Sequence, residues 1–342
     1  MKKGNKSKEL TNIIEIDTSI TMPVYKQIVQ SIYKNIDSGI LKKDDMLPSV
    51  NQIAAEFSLA RGSVFSAYND LRASGIIDSI PGKGYHVLST QTNFKHNIFL
   101  FFSTFTPYKE TLFNALLKNL PKTCSIDIYF HYHNIKMFET LIREQVGYYN
   151  KFIIMPEVHQ NTLNILSKLD PKNTYLLDVG LKEFKEHYSG VFQNFEKDIY
   201  SILISSQDLI SKYKRLFLVY PDTVRTRDII SGFNKFAKKK IIYTEVKNSI
   251  SNDIEKHDAF IVIDDNHLVN IIKVAKEKKW TLGKDLGVMS YNETNLKSVI
   301  ADGITTITTD FLMMGKTMAE MVTTGKRGII ENPFIMIDRG SF

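Results

Sequence analysis

LPSVNQIAAEFSLARGSVFSAYNDLRASG, residues 47–75, holds two helix starts and a glycine stop in one short stretch. Ser49 and Gln52 form the S-x-x-Q pattern of a capping box, so a short helix starts after Ser49 and buries Ile53, Ala54 and Phe57. The pattern predicts about nine residues of helix, ending near Ser58. The joint SLAR then leads into GSVFSAYNDLRASG, where Val64, Ala67, Tyr68 and Leu71 share one face and Gly75 ends the helix. Arg61, Ser63, Ser66 and Asn69 lie on the opposite face. A short helix, a tight turn and a second helix with small polar residues at its N-terminal end make helix-turn-helix geometry, in which the second helix enters the DNA major groove. Phe65 and Tyr68 read as core or interface residues.

The flanking sequence extends this pattern. Pro23 followed by Val24, Ile28, Ile32 and Ile36 gives apolar residues at i+4 spacing, closed by Gly39, which is one amphipathic helix. IIDSI and YHVLS read as two strands joined by PGKG, with Lys83 at the tip of the turn. Three helices and a hairpin make a winged helix, which sets one basic group in the groove and another on adjacent backbone. Residues 1–90 carry 11 Lys/Arg against 9 Asp/Glu, a net of +2, whereas the whole chain carries +7. The basic excess is therefore not concentrated in this segment. The opening KKGNKSK reads as a solvated tail, with a phosphate-contacting arm as the sharper alternative.

PVYKQIVQSIYKNIDSGILKKDDMLPSVNQIAAEF, AYNDLRASGII and PGKGYHV together resemble the N-terminal DNA-binding domain of the GntR family of bacterial transcription regulators. That resemblance implies that Ser49 caps the second helix, that Arg61 and Ser63 contact bases or phosphates, and that Lys83 and Gly84 belong to a wing entering the minor groove. It departs from the family at Asn51, where many members carry arginine, and at Ala60-Arg61-Gly62-Ser63, where the usual pattern is Ser-Arg-x-Thr. Ser49, Asn51, Arg61, Gly62, Ser63, Ser66, Lys83 and Gly84 are thus the candidate DNA-reading residues.

Beyond a linker at residues 89–96 the periodicity changes. Apolar runs NIFLFF, SIDIYF, KFIIMP, NTYLLDV, RLFLVYP, AFIVID and LGVMSY alternate with helical stretches such as ETLFNALLKNL and NHLVNIIKVAKEKK. Buried strands alternating with helices predict a doubly wound α/β architecture, and about six such units predict two parallel sheets with a cleft between them. In such sheets ligands bind outside the carboxyl ends of the strands. Those ends hold Ser103 to Tyr108, Pro156-Glu157, Asp178, Pro221-Asp222, Asp264-Asp265 and Tyr291-Asn292. Paired carboxylates and amides share hydroxyl hydrogen bonds, and aromatic faces pack on the apolar side of a sugar ring, so this inventory suits a polyol. No Gly-rich phosphate loop follows any of these strands.

The order of elements, with VFQNFEKDIYSILISSQDLI, AFIVIDDNHLVNIIKVAKEKKWTLGKDLGVMSYNET and ITTITTDFLMMGKTMAEMV, resembles the effector domain of the lactose/galactose repressor family. Joined to a GntR-type winged helix, it resembles the arabinose-repressor subfamily. The resemblance implies a periplasmic-binding-protein-like domain over 97–342, preceded by a flexible basic tail at 1–20 and a winged helix at 21–88. It also implies a cytoplasmic repressor of carbohydrate utilisation that binds operator DNA as a homodimer, released or recruited by a sugar or sugar phosphate. Carried over by motif, Asn194 stands where the family often has aspartate, Asp264 and Asp265 match its Asn-Asp pair, and Asn292 replaces the aspartate of Tyr-Asp. The family's sugar-binding arginine falls on Ile229, with Arg225 and Arg227 nearby, so either a neighbour substitutes or the ligand is not a typical family sugar. The candidate ligand residues are Phe105, Tyr108, Asn194, Arg227, Asp264, Asp265, Tyr291 and Asn292. One of the two strand-end aspartates is expected to cap the following helix and the other to bind.

Composition narrows the alternatives. Apolar residues at 43% and charged residues at 24% match an ordinary globular protein. No apolar run reaches the roughly 18 residues of a membrane span, and the N-terminus lacks an apolar signal core. One cysteine, Cys124, builds no internal disulfide and fits a reducing compartment. His131 and His133 form H-Y-H on an expected strand and would point the same way, but no third metal ligand is evident, so neither metal nor cofactor is expected. No G-x-S-x-G or H-E-x-x-H motif is present, and the tail is too short for a pyridoxal-phosphate aminotransferase-like domain, so no enzymatic activity is expected.

Overall fold

The computed structural model describes residues 13–20, 22–90, 96–145, 149–178, 184, 186–222, 227–250 and 254–342. Most of the expected linker and of the expected tail lies outside the described residues, as does Arg225.

The N-terminal domain is built on helices α1 (Val24–Asp37), α2 (Val50–Glu56) and α3 (Arg61–Ala73) and a hairpin of β1 (Ile77–Ile80) with β2 (Gly84–Val87). The i+4 stripe of α1 does what its spacing requires: Ile28, Ile32 and Ile36 are buried with Val64, Ala67, Tyr68 and Leu71 of α3 in one core. Gly39 and Gly75, just past the ends of α1 and α3, take positive φ, and so does Ser58 after α2. Two features differ from the sequence reading. Residues 13–17, expected to be tail, pack on α1: Ile14 is buried, Glu15 N–H donates to Ser31 Oγ at 3.0 Å, and Asp17 N–H donates to Gln27 Oε1 at 2.7 Å. The domain therefore starts near Ile13, and the missed signal was the apolar triplet Ile13, Ile14, Ile16. The stretch before Pro48 also bonds to the wing through an isolated bridge of Met46 with His86: Leu47 N–H donates to Tyr85 O and Val87 N–H to Asp45 O.

The remainder alternates strand and helix. Its strands are β3 (His96–Phe102), β4 (Cys124–Phe130), β5 (Lys151–Ile154), β6 (Thr174–Asp178), β7 (Ser189–Phe192), β8 (Arg215–Val219), β9 (Tyr243–Lys247), β10 (Asp258–Val262), β11 (Gly287–Tyr291), β12 (Thr305–Thr309), β13 (Ile329–Glu331) and β14 (Phe334–Ile337). They form two six-stranded sheets, ordered β13-β7-β6-β5-β3-β4 and β14-β12-β11-β10-β8-β9. Every pairing whose register is resolved in these sheets is parallel except β12 with β14. Central strands such as β10, with all five residues buried, are apolar after their first residue, Asp258, because helices cover both faces.

The helices are α4 (Pro107–Asn119), α5 (Ile135–Gln145), α6 (Thr162–Leu166), α7 (Phe195–Ser205), α8 (Gln207–Ile210), α9 (Asp228–Ala237), α10 (Asp265–Glu277) and α11 (Phe311–Thr324). Over DIYSILISSQDLI the chain forms two helices, α7 and α8, broken at Ser206. α4 and α11 approach closely because Gly315 has no side chain: a Cβ there would lie 2.7 Å from both Ala115 Cβ and Leu112 O.

Three segments carry the chain from one sheet to the other, and Asn332 joins them. Its N–H donates to Phe192 O at 2.8 Å, and its buried Nδ2 donates to Thr309 Oγ1 and Asp310 O, both at 2.9 Å. Asp310 N–H returns a bond to Pro333 O. Through its backbone N–H and its side chain, one asparagine thus satisfies polar groups of crossovers that are far apart in sequence.

Candidate functional site

The surface of the winged helix follows from which residues its core consumes. With Val64, Ala67, Tyr68 and Leu71 turned inward, α3 presents Arg61, Gly62, Phe65, Ser66, Asn69 and Asp70 outward, and Ser63 is half-buried. Arg61 is the first residue of α3, where its charge opposes the helix dipole and has no structural gain to offer. Ser49 closes a complete capping box on α2: Gln52 N–H donates to Ser49 Oγ at 3.2 Å and Ser49 N–H to Gln52 Oε1 at 2.8 Å. Its side chain is thereby occupied, while the neighbouring Asn51 is exposed. At the wing tip Lys83 is exposed between Gly82 (φ 75°) and Gly84 (φ 106°), conformations that glycine alone adopts at no steric cost. Of the two readings for Phe65, core or interface, the core one does not hold: it is 51% exposed.

In the α/β part the polar strand ends form two groups. Beyond β3, β4 and β5 lie buried Ser103, buried His131 and buried Glu157. His131 and His133 do not stand on a strand, because β4 ends at Phe130 and both Tyr132 and His133 take positive φ. Their rings nevertheless turn to one carboxylate oxygen: His133 Nδ1 lies 2.9 Å and His131 Nδ1 3.6 Å from Glu157 Oε2.

The second group gathers around two tyrosines. Tyr108 lies in the first turn of α4 and stacks on Phe311 with ring centroids 5.1 Å apart. Burial pushes its phenol up, the Thr106 hydroxyl opposes this, and the carboxylates of Asp178 and Asp265 push it further. The Tyr291 phenol is completely buried and lacks a hydrogen-bond partner among the described residues. Burial first, then Asp198, Asp178, Tyr220 and Tyr108, hold it well above the usual phenol range. A phenol hydroxyl sealed from water without a partner costs about 1–3 kcal/mol. Lys109, also buried, has its ammonium pushed down by desolvation against the pull of Asp178. Asp178 itself takes a left-handed φ of 77° and accepts a short hydrogen bond from Gln193.

The two strand-end aspartates divide in their contacts. Asp264 caps α10, accepting from Asn266 N–H at 2.8 Å, whereas the Asp265 carboxylate meets the Lys297 ammonium at 2.8 Å. Lys297 was not singled out from the sequence. It is buried and donates to the carbonyls of Tyr291 and Asn292, both at 2.9 Å, which holds Asn292 in its left-handed conformation (φ 62°). Only its position five residues beyond Asn292 hinted at this. Phe105 is 51% exposed, and Asn194 caps α7 and donates to Glu331 at 3.3 Å, so its side chain is largely spent on structure. Ile229 is buried in the core of α9, which leaves no room for an arginine there; Arg227 precedes that helix, exposed, and acts electrostatically on the Tyr220 phenol.

Asp198 adds a titratable element. Burial and the nearby Glu331 push its carboxyl up to about 7, against the Asn194 N–H that it accepts at 3.1 Å. The folded state thus favours the protonated form. Its contribution to stability is complete below the unfolded value near 4 and is lost as pH rises through 7. Asp198→Asn is expected to stabilise the protein by about 1–2 kcal/mol at pH 8 and hardly at all at pH 4. Thermal melts across that range check it, and an equal effect at both ends would remove the carboxyl from this role.

Comparison with known proteins places both parts. Residues 24–87 match the gntR family of bacterial regulatory proteins, and residues 211–338 match the periplasmic binding protein-like domain. The chain is a gntR-type winged helix joined to a periplasmic-binding-protein-like domain. For the winged helix, the HTH-type transcriptional repressor YtrA of Bacillus subtilis is 35% identical over 75 residues, 22% of this chain and 58% of that protein. The arabinose metabolism transcriptional repressor of Geobacillus stearothermophilus is 37% identical over 67 residues, 20% of this chain and 18% of that protein. The chain therefore spans less than two thirds of either relative. For the periplasmic-binding-protein-like domain, a lactose repressor structure with the anti-inducer ONPF superposes with a TM-score of 0.59 at 16% identity, covering 72% of this chain and 99% of that one. The trehalose repressor of Escherichia coli gives 0.58 at 12%, covering 70% and 99%. These likenesses establish a two-lobed fold. No helix among the described residues is long and apolar enough to cross a membrane.

Proposed function

We propose that this protein is a transcription regulator, a repressor of carbohydrate utilisation, whose winged helix over residues 13–90 binds operator DNA and whose domain over 97–342 senses a small molecule. The observation that carries the reading is the pairing of a polar, outward-facing α3 with an α/β domain whose strand-end residues Tyr108, Asp178, Asp265 and Tyr291 gather in one place. The relatives described above are by name repressors of transcription, which supports a regulatory and non-enzymatic role in the cytoplasm. Two-fold operators and the lactose repressor dimer bound to operator support a homodimer.

Tyr108, Asp178, Asp265 and Tyr291, with Lys109 near Asp178 and Lys297 against Asp265, supply aromatic faces and both acceptors and donors for hydroxyl groups. A sugar or sugar phosphate bound there and favouring one arrangement of the sensor domain would shift operator affinity by the coupling free energy, typically about 1–3 kcal/mol. The absence of an arginine at Ile229 favours a ligand bound differently from a typical family sugar, so a non-sugar small molecule is the second reading.

A thermal-shift screen of the full chain against pentoses, hexoses, deoxy sugars and their phosphates tests it. A true effector at 100 times its dissociation constant adds about 2.7 kcal/mol, several degrees for a domain of this size. Silence across the panel would remove sugars and leave the second reading.

A further inference from the structure

Phe65 is the one large apolar side chain on the outward face of α3, one helical turn from Arg61 and one from Asn69, and it is 51% exposed. The inward residues of α3 are already Val64, Ala67, Tyr68 and Leu71, so the core has no claim on it. Exposing a phenylalanine ring on a small domain forgoes the stabilisation that burying it would add. Its neighbours on this face, Arg61, Ser66 and Asn69, are hydrogen-bonding groups suited to base edges and phosphates. A benzyl group neither donates nor accepts. Among the groups that unmodified B-DNA displays in the major groove, the C5-methyl of thymine is the apolar one.

From this juxtaposition we infer that Phe65 is a specificity-determining residue that reads a thymine methyl in each operator half-site, next to the base pair or phosphate contacted by Arg61. The inference rests on the DNA-binding function proposed above. It gives the chain a base preference at the position facing Phe65: an A·T pair with its thymine methyl toward the ring.

The experiment uses the full chain and lets the protein select its own operator. Binding sites are selected from two pools of random duplexes, one made with thymidine and one with deoxyuridine, which keeps every Watson–Crick and groove hydrogen-bonding group and lacks only the methyl. The best site from the thymidine pool is then assayed with each thymine replaced singly by deoxyuridine. The expected result is one thymine per half-site at which loss of the methyl weakens binding about fourfold, the transfer value of one methyl-sized group. Phe65→Ala abolishes that difference while retaining residual binding through Arg61 and the wing, and Phe65→Leu keeps part of it. Because the ring is exposed, both variants retain the wild-type melting transition. Equal selection from the two pools, or an undiminished thymine preference in Phe65→Ala, overturns the role of Phe65 and leaves DNA binding standing. Failure to enrich any sequence from either pool overturns both.

Discussion

Tyr68→Ala is expected to abolish operator binding at physiological temperature while the periplasmic-binding-protein-like domain melts unchanged. The ring is fully buried at the centre of the winged helix. It packs edge-on against Tyr85 of the wing with centroids 4.6 Å apart, and its hydroxyl donates to Pro48 O at 2.6 Å, just ahead of α2. One side chain of α3 therefore fixes both the helix before it and the hairpin after it. Removing a buried aromatic ring costs about 3–5 kcal/mol. A domain of this size has in all about 4–12 kcal/mol, at 0.05–0.15 kcal/mol per residue. The loss is comparable to the whole stability. A two-transition melt followed by circular dichroism reads it directly, with the first transition lowered by about 12 °C or more. Tyr68→Phe, which strands only the Pro48 carbonyl, should cost about 1 kcal/mol and keep DNA binding. If Tyr68→Ala melted like the wild type, the ring would not be what joins the wing to the helices.

Arg61→Ala has the second largest expected effect, and it falls on DNA alone. Arg61 is exposed at the first turn of α3, so its loss leaves no cavity and no unpaired partner in the core. A base contact of this kind contributes about 1–3 kcal/mol of discrimination, about 5- to 150-fold in affinity for each half-site that uses it. A phosphate contact would instead lower the slope of log affinity against log salt by about one for each half-site. Titrations of operator at several salt concentrations separate the two, and unchanged binding under all of them would remove Arg61 from the interface.

Much of this was legible in the sequence, for identifiable reasons. The capping box at Ser49 and the period-3.6 faces of α1 and α3 are local, so they appear in the structure where the spacing puts them. The apolar runs that became β3, β4, β5, β6, β8, β10 and β11 are strands buried on both faces, which need no partner to be recognised. β7, β9, β12, β13 and β14 were not recognised. They are short, and three of them lie at sheet edges, where one side is solvated and the apolar signal is diluted. The candidate site was legible only in part. Tyr108, Asp265 and Tyr291 stand at strand ends that topology alone marks out. Lys297 and Asp198 owe their roles to burial, which no local pattern reports. Phe65 was left between core and interface because an aromatic residue in a helix suits either, and only the complete set of inward residues showed that the core does not use it.

The stitching of the crossovers by Asn332 also bears on the order in which the two parts mature. β13 and β14, which edge the two different sheets, come from residues 329–337, and neither sheet has its full strand set until that stretch has left the ribosome. The winged helix is complete by residue 90 and closes its own core. At about 5–20 residues per second, the reader emerges on the order of 10–50 seconds before its sensor can form. During that interval each nascent chain carries a folded DNA-reading module with no effector control over it.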